Sequence, residues 1–296
     1  MKSLPKNHFS ETPILGGRLW PANTGLGALR PLSDQHKRNA MSLALHADFL
    51  TKPIAHRALH DIRDRRPENS RAAIRAAIAA GYAIEIDLQL SRDGQAMVFH
   101  DDILDRLTLE TGPVNQRSAA ELSHIPLRGG RETIPGLPEI LALVAGQVPL
   151  LIELKDQQGE LGPTDGKLEA ATAAALEGYG GPVAIMSFNP NSVIIMARLC
   201  PLIPRGITTC SFDPANWAPI PAATCDRLRM IPDYDHANAS FISHAAKDLD
   251  NPRVTELRNK GAAILCWTIT SPEAESKARE VVQNITFEGY LPTPLE

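Results

Sequence analysis

The amino-acid sequence predicts an α/β protein of the (β/α)8 class, a TIM barrel. From Pro53 onward, short apolar runs rich in β-branched residues alternate with Ala- and Leu-rich helical stretches, which is typical of βα units around a parallel sheet. Eight such runs lie within about 240 residues, close to the usual size of this barrel. A doubly wound open sheet is the alternative, but no Gly-rich phosphate-binding turn follows the first run.

The predicted elements follow one another in a regular order. The strands are PIAHR (53–57), AIEIDLQL (83–90), VPLLIELK (148–155), PVAIMSF (182–188), PRGITTC (204–210), ASFISH (239–244), AAILCWTI (262–269) and NITFEG (284–289). The helices between them are predicted at 69–80, 137–145, 167–177, 190–199, 251–260 and 272–282. Helix-start residues at Asn69-Ser70 and Ser271-Pro272 support two of them. The stretch 211–238 predicts a loop with one short helix.

One further strand, AMVFH (96–100), interrupts this alternation and predicts a β-hairpin insertion after strand two. The link between the two strands is too short for a parallel crossover, so they must be antiparallel. A two-residue turn at Asp93-Gly94 would place Asp87 opposite His100 on the same face. A three-residue loop with a bulge would instead shift the pairing and turn His100 away.

The first forty residues differ from the rest of the chain. Gly, Pro and Asn are scattered through residues 1–40 without a helical or strand period, which predicts a poorly ordered N-terminal extension. Residues 41–296 are predicted to form the barrel domain. No apolar segment followed by a cleavage pattern occurs near the N-terminus, so we expect no secretory signal.

Composition and charge narrow the classes of function. Hydrophobic residues are 43% and charged residues 22% of the chain, which excludes disordered, collagen and coiled-coil classes. The net charge of −4 opposes a nucleic-acid partner, and no apolar run reaches the ~18 residues of a stable membrane insertion. The four cysteines lack C-x-x-C spacing, so we expect free thiols and a cytoplasmic location. The oligomeric state is not indicated.

Polar residues gather at the predicted carboxyl ends of the early strands, where barrel enzymes place their working groups. Glu85 and Asp87 are two residues apart on one strand, so their side chains point to the same face. Glu153 and Lys155 repeat this spacing on a later strand. The other members of this group are His56, Arg57, His100 and Asp101.

The carboxylates of Glu85, Asp87 and Glu153 would repel one another at one barrel mouth unless a cation lies among them. Oxygen ligands without a nearby cysteine favour a hard divalent ion, Mg²⁺ or Ca²⁺. The sequence therefore predicts a metal site. Structural ion pairing is the alternative for these acids.

The neighbouring cations and imidazoles suit phosphate chemistry. Arg57 and Lys155 match phosphate oxygens, and His56 and His100 can exchange protons near neutral pH. Together with a metal, they predict phosphodiester cleavage by general acid and base catalysis. Each residue taken alone has a structural alternative, as a loop cap or an exposed strand end.

Longer motifs run in order through residues 52–289: IAHRALHD…RPENS, GYAIEIDLQLSRDGQAMVFHDDILDRLT…TG, IPGLPEIL, LLIELK, SF and CWT. In order and spacing the chain resembles the glycerophosphodiester phosphodiesterase family. The resemblance implies a barrel with a divalent cation on Glu85, Asp87 and Glu153. It implies His56 and His100 as general base and acid, and Arg57 and Lys155 as the cations that bind the phosphate. It also implies a supporting role for Glu68, the acid of P-E-N, and two aromatic positions, Phe188 and Trp267.

The resemblance implies hydrolysis of a small-molecule glycerophosphodiester to glycerol 3-phosphate and an alcohol. Phe188 and Trp267 would wall the glycerol pocket, with plain barrel core as the alternative. A related phosphodiesterase acting on lysophospholipids or sugar phosphodiesters is a second interpretation, and a non-catalytic barrel that binds a phosphorylated ligand is a third. Three features depart from the family pattern: Ala58 replaces a glycine, TFEGYLPTP replaces a run ending in Thr-Asp and proline, and residues 1–40 have no counterpart. If position 58 requires a positive φ, alanine is strained there.

Overall fold

The structure is a computed structural model that describes residues 44–293. The predicted N-terminal extension, residues 1–40, lies outside the described residues, and the division of the chain at that point stays a prediction. From Ile54 onward the chain alternates between strands and helices, as the sequence predicts.

A closed ring of parallel strands forms the centre of the fold. The strands are β1 (Ile54–Ala55), β2 (Ala83–Leu90), β3 (Ala96–Val98), β4 (Leu150–Leu154), β5 (Val183–Ser187), β6 (Arg205–Thr209), β7 (Phe241–Ala245), β8 (Ala263–Ile269) and β9 (Asn284–Phe287). Neighbours follow the order β1-β9-β8-β7-β6-β5-β4-β2, and β1 also pairs with β2, which closes the ring. The predicted (β/α)8 barrel is therefore confirmed, and the open sheet is wrong.

Helices occupy the connections between the strands. They are α1 (Asp48–Thr51), α2 (Arg71–Ala80), α3 (Ala119–Leu122), α4 (Leu137–Val144), α5 (Lys167–Leu176), α6 (Pro190–Leu199), α7 (Ala222–Arg229), α8 (Pro252–Asn259) and α9 (Pro272–Ala278). The predicted start residues act as N-caps: Ser70 Oγ accepts a hydrogen bond from the Ala73 N–H, and Ser271 Oγ from the Ala274 N–H. Helix α7 is the short helix expected within 211–238.

The two faces of the barrel strands separate the core from the site. Because side chains alternate along a strand, Ala83, Glu85 and Asp87 of β2 share the inward face. Leu151 and Glu153 of β4 are also inward, since they pair with Glu85 and Asp87. Apolar inward residues fill the bottom of the barrel, and the acids lie above them. This lower cluster is Leu45, Phe49, Ile54, Ala83, Leu151, Ala184, Met186, Phe241 and Leu265.

The hairpin exists, but its register differs from the one that a two-residue turn predicts. Leu88 pairs with Val98, and the loop of residues 92–94 ends at Gly94 with φ of +77°. The Phe99 N–H donates to the Asp87 carbonyl at 3.0 Å, so Asp87 faces Phe99 and the predicted pairing with His100 is wrong.

The expectation that a bulged loop turns His100 away is wrong as well. Strand β3 ends at Val98, so the chain has left the pleat before it reaches His100, and pleat alternation no longer fixes the direction of this side chain. The His100 carbonyl accepts a hydrogen bond from Gln89 Nε2 at 3.1 Å, and its imidazole lines the cavity at the barrel mouth.

The segment that follows the hairpin packs around a small core of its own. It contains a 3-10 turn (Val114–Gln116) and α3, whose Ser118 and Glu121 form a reciprocal cap. This core consists of Met97 of β3 together with Phe99, Leu104, Val114, Leu122, Ile125, Leu127 and Ile134. This segment carries Asp101 and Arg106 to the rim of the barrel.

Candidate active site

A cavity of about 470 Å³ opens at the carboxyl ends of the barrel strands. The structure brings every residue of the predicted site to its wall: His56, Arg57, Glu68, Glu85, Asp87, His100, Glu153, Lys155, Phe188 and Trp267. The wall also includes residues that sequence reasoning missed, namely His60, Arg106 and Glu288.

Three buried carboxylates form the floor of this cavity. One oxygen each from Glu85, Asp87 and Glu153 lies within 4.8 Å of the others. Burial, together with the charges of Asp87 and Glu153, raises the pKa of Glu85 well above its usual 4.5. Although burial opposes it, the charge of Lys155, followed by those of His100 and Arg57, lowers the pKa of Asp87.

Three carboxyl groups on this floor share two neighbouring cations. Lys155 Nζ lies 2.8 Å from Asp87 Oδ1 and 2.5 Å from Glu153 Oε1, and Arg57 Nε lies 3.8 Å from Asp87 Oδ2. The Glu85 carboxylate accepts a hydrogen bond from the backbone N–H of Arg57 at 2.8 Å. This N–H is a dipole and does not carry the full charge of a cation. Three converging oxygen donors fit a hard divalent cation, and the charge of such a cation would favour the ionised form of Glu85.

Each predicted catalytic histidine is held by a carboxylate through the same ring nitrogen. His56 Nδ1 lies 2.8 Å from Glu288 Oε2, and His100 Nδ1 lies 2.7 Å from Asp101 Oδ1. This arrangement leaves Nε2 of each ring as the nitrogen available to a ligand. Burial lowers the pKa of His56, and the hydrogen bond to Glu288 partly offsets that effect.

Glu68, the acid of the P-E-N motif, connects two arginines at the rim. Its Oε1 accepts from Arg57 Nη1 at 2.8 Å, and its Oε2 accepts from Arg106 Nη1 at 2.8 Å. Arg106 also donates to Asp101, with Nε 2.6 Å from Oδ2. The Arg106 guanidinium therefore links Glu68, which binds Arg57, to Asp101, which binds His100.

A strained turn after His56 directs the backbone toward Glu85. Arg57 and Ala58 both adopt positive φ, of 53° and 64°. The Ala58 N–H donates to the Glu85 carbonyl at 2.9 Å, while the Arg57 N–H reaches the Glu85 side chain. Position 58 does require the left-handed region, where a residue with a Cβ costs about 1–2 kcal/mol.

The two predicted aromatic residues border the cavity and also belong to a packed cluster. The ring centroids of Phe188 and Trp267 are 5.4 Å apart, and Phe188 packs further on Phe212 and Trp217. Trp267 Nε1 donates to the Ser243 carbonyl at 3.1 Å, which fixes the indole. Both proposed roles, pocket wall and core, are thus compatible with their positions.

Of the residues that sequence reasoning missed, His60 and Arg106 could have been noticed, because they belong to the quoted motifs IAHRALHD and HDDILDRLT. Asn69, the asparagine of P-E-N, donates from Nδ2 to Asp87 Oδ2 at 2.9 Å, a contact that its prediction as a helix start does not include. Glu288 had no comparable signal, because its contact with His56 joins opposite ends of the barrel sequence.

A barrel whose mouth gathers oxygen donors, two cations and two carboxylate-held imidazoles has the equipment of a phosphodiester hydrolase. The comparisons with known proteins agree with this class. The model of the glycerophosphoryl diester phosphodiesterase family matches residues 56–284, and the chain belongs to that family. It is therefore an enzyme of the phosphoric diester hydrolase class.

Individual relatives cover most of the barrel. YhdW of Bacillus subtilis is 28% identical over 234 residues, spanning 76% of this chain and 88% of YhdW. A glycerophosphodiester phosphodiesterase of Bacillus altitudinis is 32% identical over 170 residues, 54% of this chain and 67% of its own. The solved structure of an Oleispira antarctica phosphodiesterase in complex with its product sn-glycerol-3-phosphate has a TM-score of 0.66 and 25% identity, covering 82% and 94% of the two chains.

Among residues 44–293, no helix has both the length and the apolar character needed to span a bilayer.

Proposed function

We propose that this chain hydrolyses glycerophosphodiesters to sn-glycerol 3-phosphate and an alcohol, with a divalent cation and two histidines. The observation that carries the proposal is the convergence of three carboxylates and two imidazoles, each with Nδ1 engaged, on one cavity. The product-bound Oleispira relative supports the choice of substrate class.

Glu85, Asp87 and Glu153 would hold the cation, Mg²⁺ or Ca²⁺. When bound, such an ion supplies positive charge that offsets the negative charge growing on the phosphoryl group. Lys155 lies among the same carboxylates and Arg57 beside them, and both would bind the phosphate oxygens at the floor of the cavity.

The histidines would move the protons. One imidazole takes the proton of the free 2-hydroxyl of the glycerol unit as that hydroxyl attacks phosphorus. The other donates a proton to the departing alcohol, and water then opens the cyclic phosphate. Because both rings are held through Nδ1, each would act through Nε2. Phe188 and Trp267 would enclose the glycerol unit.

A cytoplasmic location belongs to the same proposal. Cys200, Cys210, Cys225 and Cys266 are free thiols, as expected of a protein kept in a reducing compartment. The proposed partner is a small-molecule glycerophosphodiester.

The test uses several glycerophosphodiesters incubated with purified protein, with and without a chelator, and measures released glycerol 3-phosphate. We expect release that the chelator abolishes and that Mg²⁺ or Ca²⁺ restores. Glu85→Ala should lose both activity and calorimetric cation binding. Release that persists at full rate in chelator would contradict the metal site, and no release from any substrate would contradict the function.

One observation favours a lysophospholipid as a second candidate substrate. A groove of about 640 Å³ adjoins the cavity and shares His60, Glu68 and Arg106 with it. Two exposed apolar side chains, Ile62 and Leu291, belong to its wall. Rates on glycerophosphocholine and on a lysophospholipid in detergent discriminate between the two, and a higher kcat/KM on the lysophospholipid would make it the preferred substrate.

A further inference from the structure

We propose that Glu288 is a positioning residue that fixes His56 in the tautomer with a proton on Nδ1, so that Nε2 presents its lone pair to the cavity. The inference deepens the proposed function and rests on it. Glu288 lies just after β9 in the stretch TFEGY, the part of the sequence that departs from the family pattern.

The geometry is that of a carboxylate accepting from an imidazole. Glu288 Oε2 is 2.8 Å from His56 Nδ1, and the His56 side chain is only 16% exposed. An ionised carboxylate can only accept a hydrogen bond, so the ring nitrogen facing it must carry the proton. The hydrogen bond to His56, with the His60 imidazole 3.6 Å away, holds the pKa of Glu288 far below its usual range, so Glu288 is ionised near neutral pH.

Backbone pairing fixes the two residues relative to each other. The His56 N–H donates to the Phe287 carbonyl at 3.0 Å, and β1 pairs with β9 through Ala55 and Phe287. His56 and Glu288 therefore leave neighbouring strands at the same level. The paired strands β1 and β9 are a rigid support, which a positioning contact requires.

The Glu288 carboxylate is directed mainly at His56. His60 Nε2 lies 3.6 Å from the same oxygen, a longer and weaker contact, and no Arg or Lys within residues 44–293 forms an ion pair with Glu288. The charge of Glu288 thus also stabilises the imidazolium that forms when His56 takes up a proton.

The test compares Glu288→Gln with Glu288→Asp and with the exposed Glu280→Gln as a matched control. The amide that Glu288→Gln introduces can donate to Nδ1 and so favours the opposite tautomer. We expect kcat on glycerophosphocholine to fall roughly 10²–10⁴-fold in this variant, with little change in KM. The Glu288→Asp variant keeps the charge at a greater distance and should recover part of that loss, whereas Glu280→Gln should match the wild type.

Two further readouts do not depend on the size of the rate. Nitrogen chemical shifts of His56, assigned by comparison with His56→Ala, should report Nδ1–H in the wild type and Nε2–H in Glu288→Gln. Without the carboxylate the pKa of His56 falls further, so the acid limb of the pH profile of kcat/KM should move to lower pH.

The outcomes separate this inference from the proposed function. A wild-type His56 protonated on Nε2, or a Glu288→Gln variant with normal kcat and an unchanged tautomer, would overturn the role of Glu288. If the wild type hydrolyses no glycerophosphodiester, the proposed function fails, and the wild-type tautomer still decides the inference. The wild-type spectrum also decides it if Glu288→Gln does not fold.

Discussion

The two imidazoles of the cavity are held alike by very different parts of the chain. His100 contacts the carboxylate of the next residue, Asp101, which Arg106 grips in turn. His56 contacts Glu288, which is 232 residues away. The first arrangement is complete once a local segment folds, whereas the second exists only when β9 closes the barrel against β1.

This difference shows how one requirement can be met by local and by long-range structure. Both carboxylates engage Nδ1, but the charge of Asp101 is largely shared with Arg106, while Glu288 has only imidazoles beside it among the described residues. We therefore expect the His100 side to depend on the arginine network and the His56 side to depend on barrel closure.

The largest expected effect comes from removing either imidazole. His56→Ala and His100→Ala should each lower kcat by roughly 10²-fold or more, because each removes an imidazole that we propose transfers a proton. Circular dichroism and thermal unfolding should show an intact barrel for both. Near-normal turnover in either variant would mean that the two rings are not a functional pair.

An intermediate effect is expected at Arg106, which bonds to both Glu68 and Asp101. Arg106→Met should lower kcat by about 10–100-fold, since Asp101 loses the group that orients it toward His100. The nitrogen shifts of His100 should change while those of His56 stay constant. Arg63→Met is the control, because Arg63 pairs with Asp61 on the exposed rim. Equal changes in the nitrogen shifts of His56 and His100 would contradict the expectation that Arg106 acts on His100 alone.

The smallest effect is expected at the turn that follows His56. Ala58→Gly removes a side chain from a residue with φ of 64° and should stabilise the protein by about 1 kcal/mol, as measured by urea unfolding. Ala145→Gly, at an exposed helix end with φ of 47°, is the comparison for backbone strain without a buried methyl group and should gain a similar amount. A gain at Ala145 alone would show that packing of the buried Ala58 methyl group offsets the strain of its backbone.

Local patterns were enough to predict much of this molecule. The eight barrel strands follow from the spacing of apolar runs, and the grouping of Glu85, Asp87, Glu153 and Lys155 follows from side-chain alternation on paired strands. What could not be predicted depends on geometry that the sequence does not carry. The hairpin register turned on loop length, and the contact of Glu288 with His56 depends on which strands meet when the ring closes.

The apolar cluster beneath the acids also determines where substrate can enter and product can leave the barrel. Phe49 of α1 is completely buried in the lower cluster, and Asn284 Nδ2 donates to its carbonyl at 2.8 Å, which anchors this plug. Because this cluster fills the lower end of the barrel, substrate and product must both pass through the mouth of the cavity. Under the proposed function, the phosphorylated product would have to leave before the next molecule enters, so we expect it to inhibit competitively.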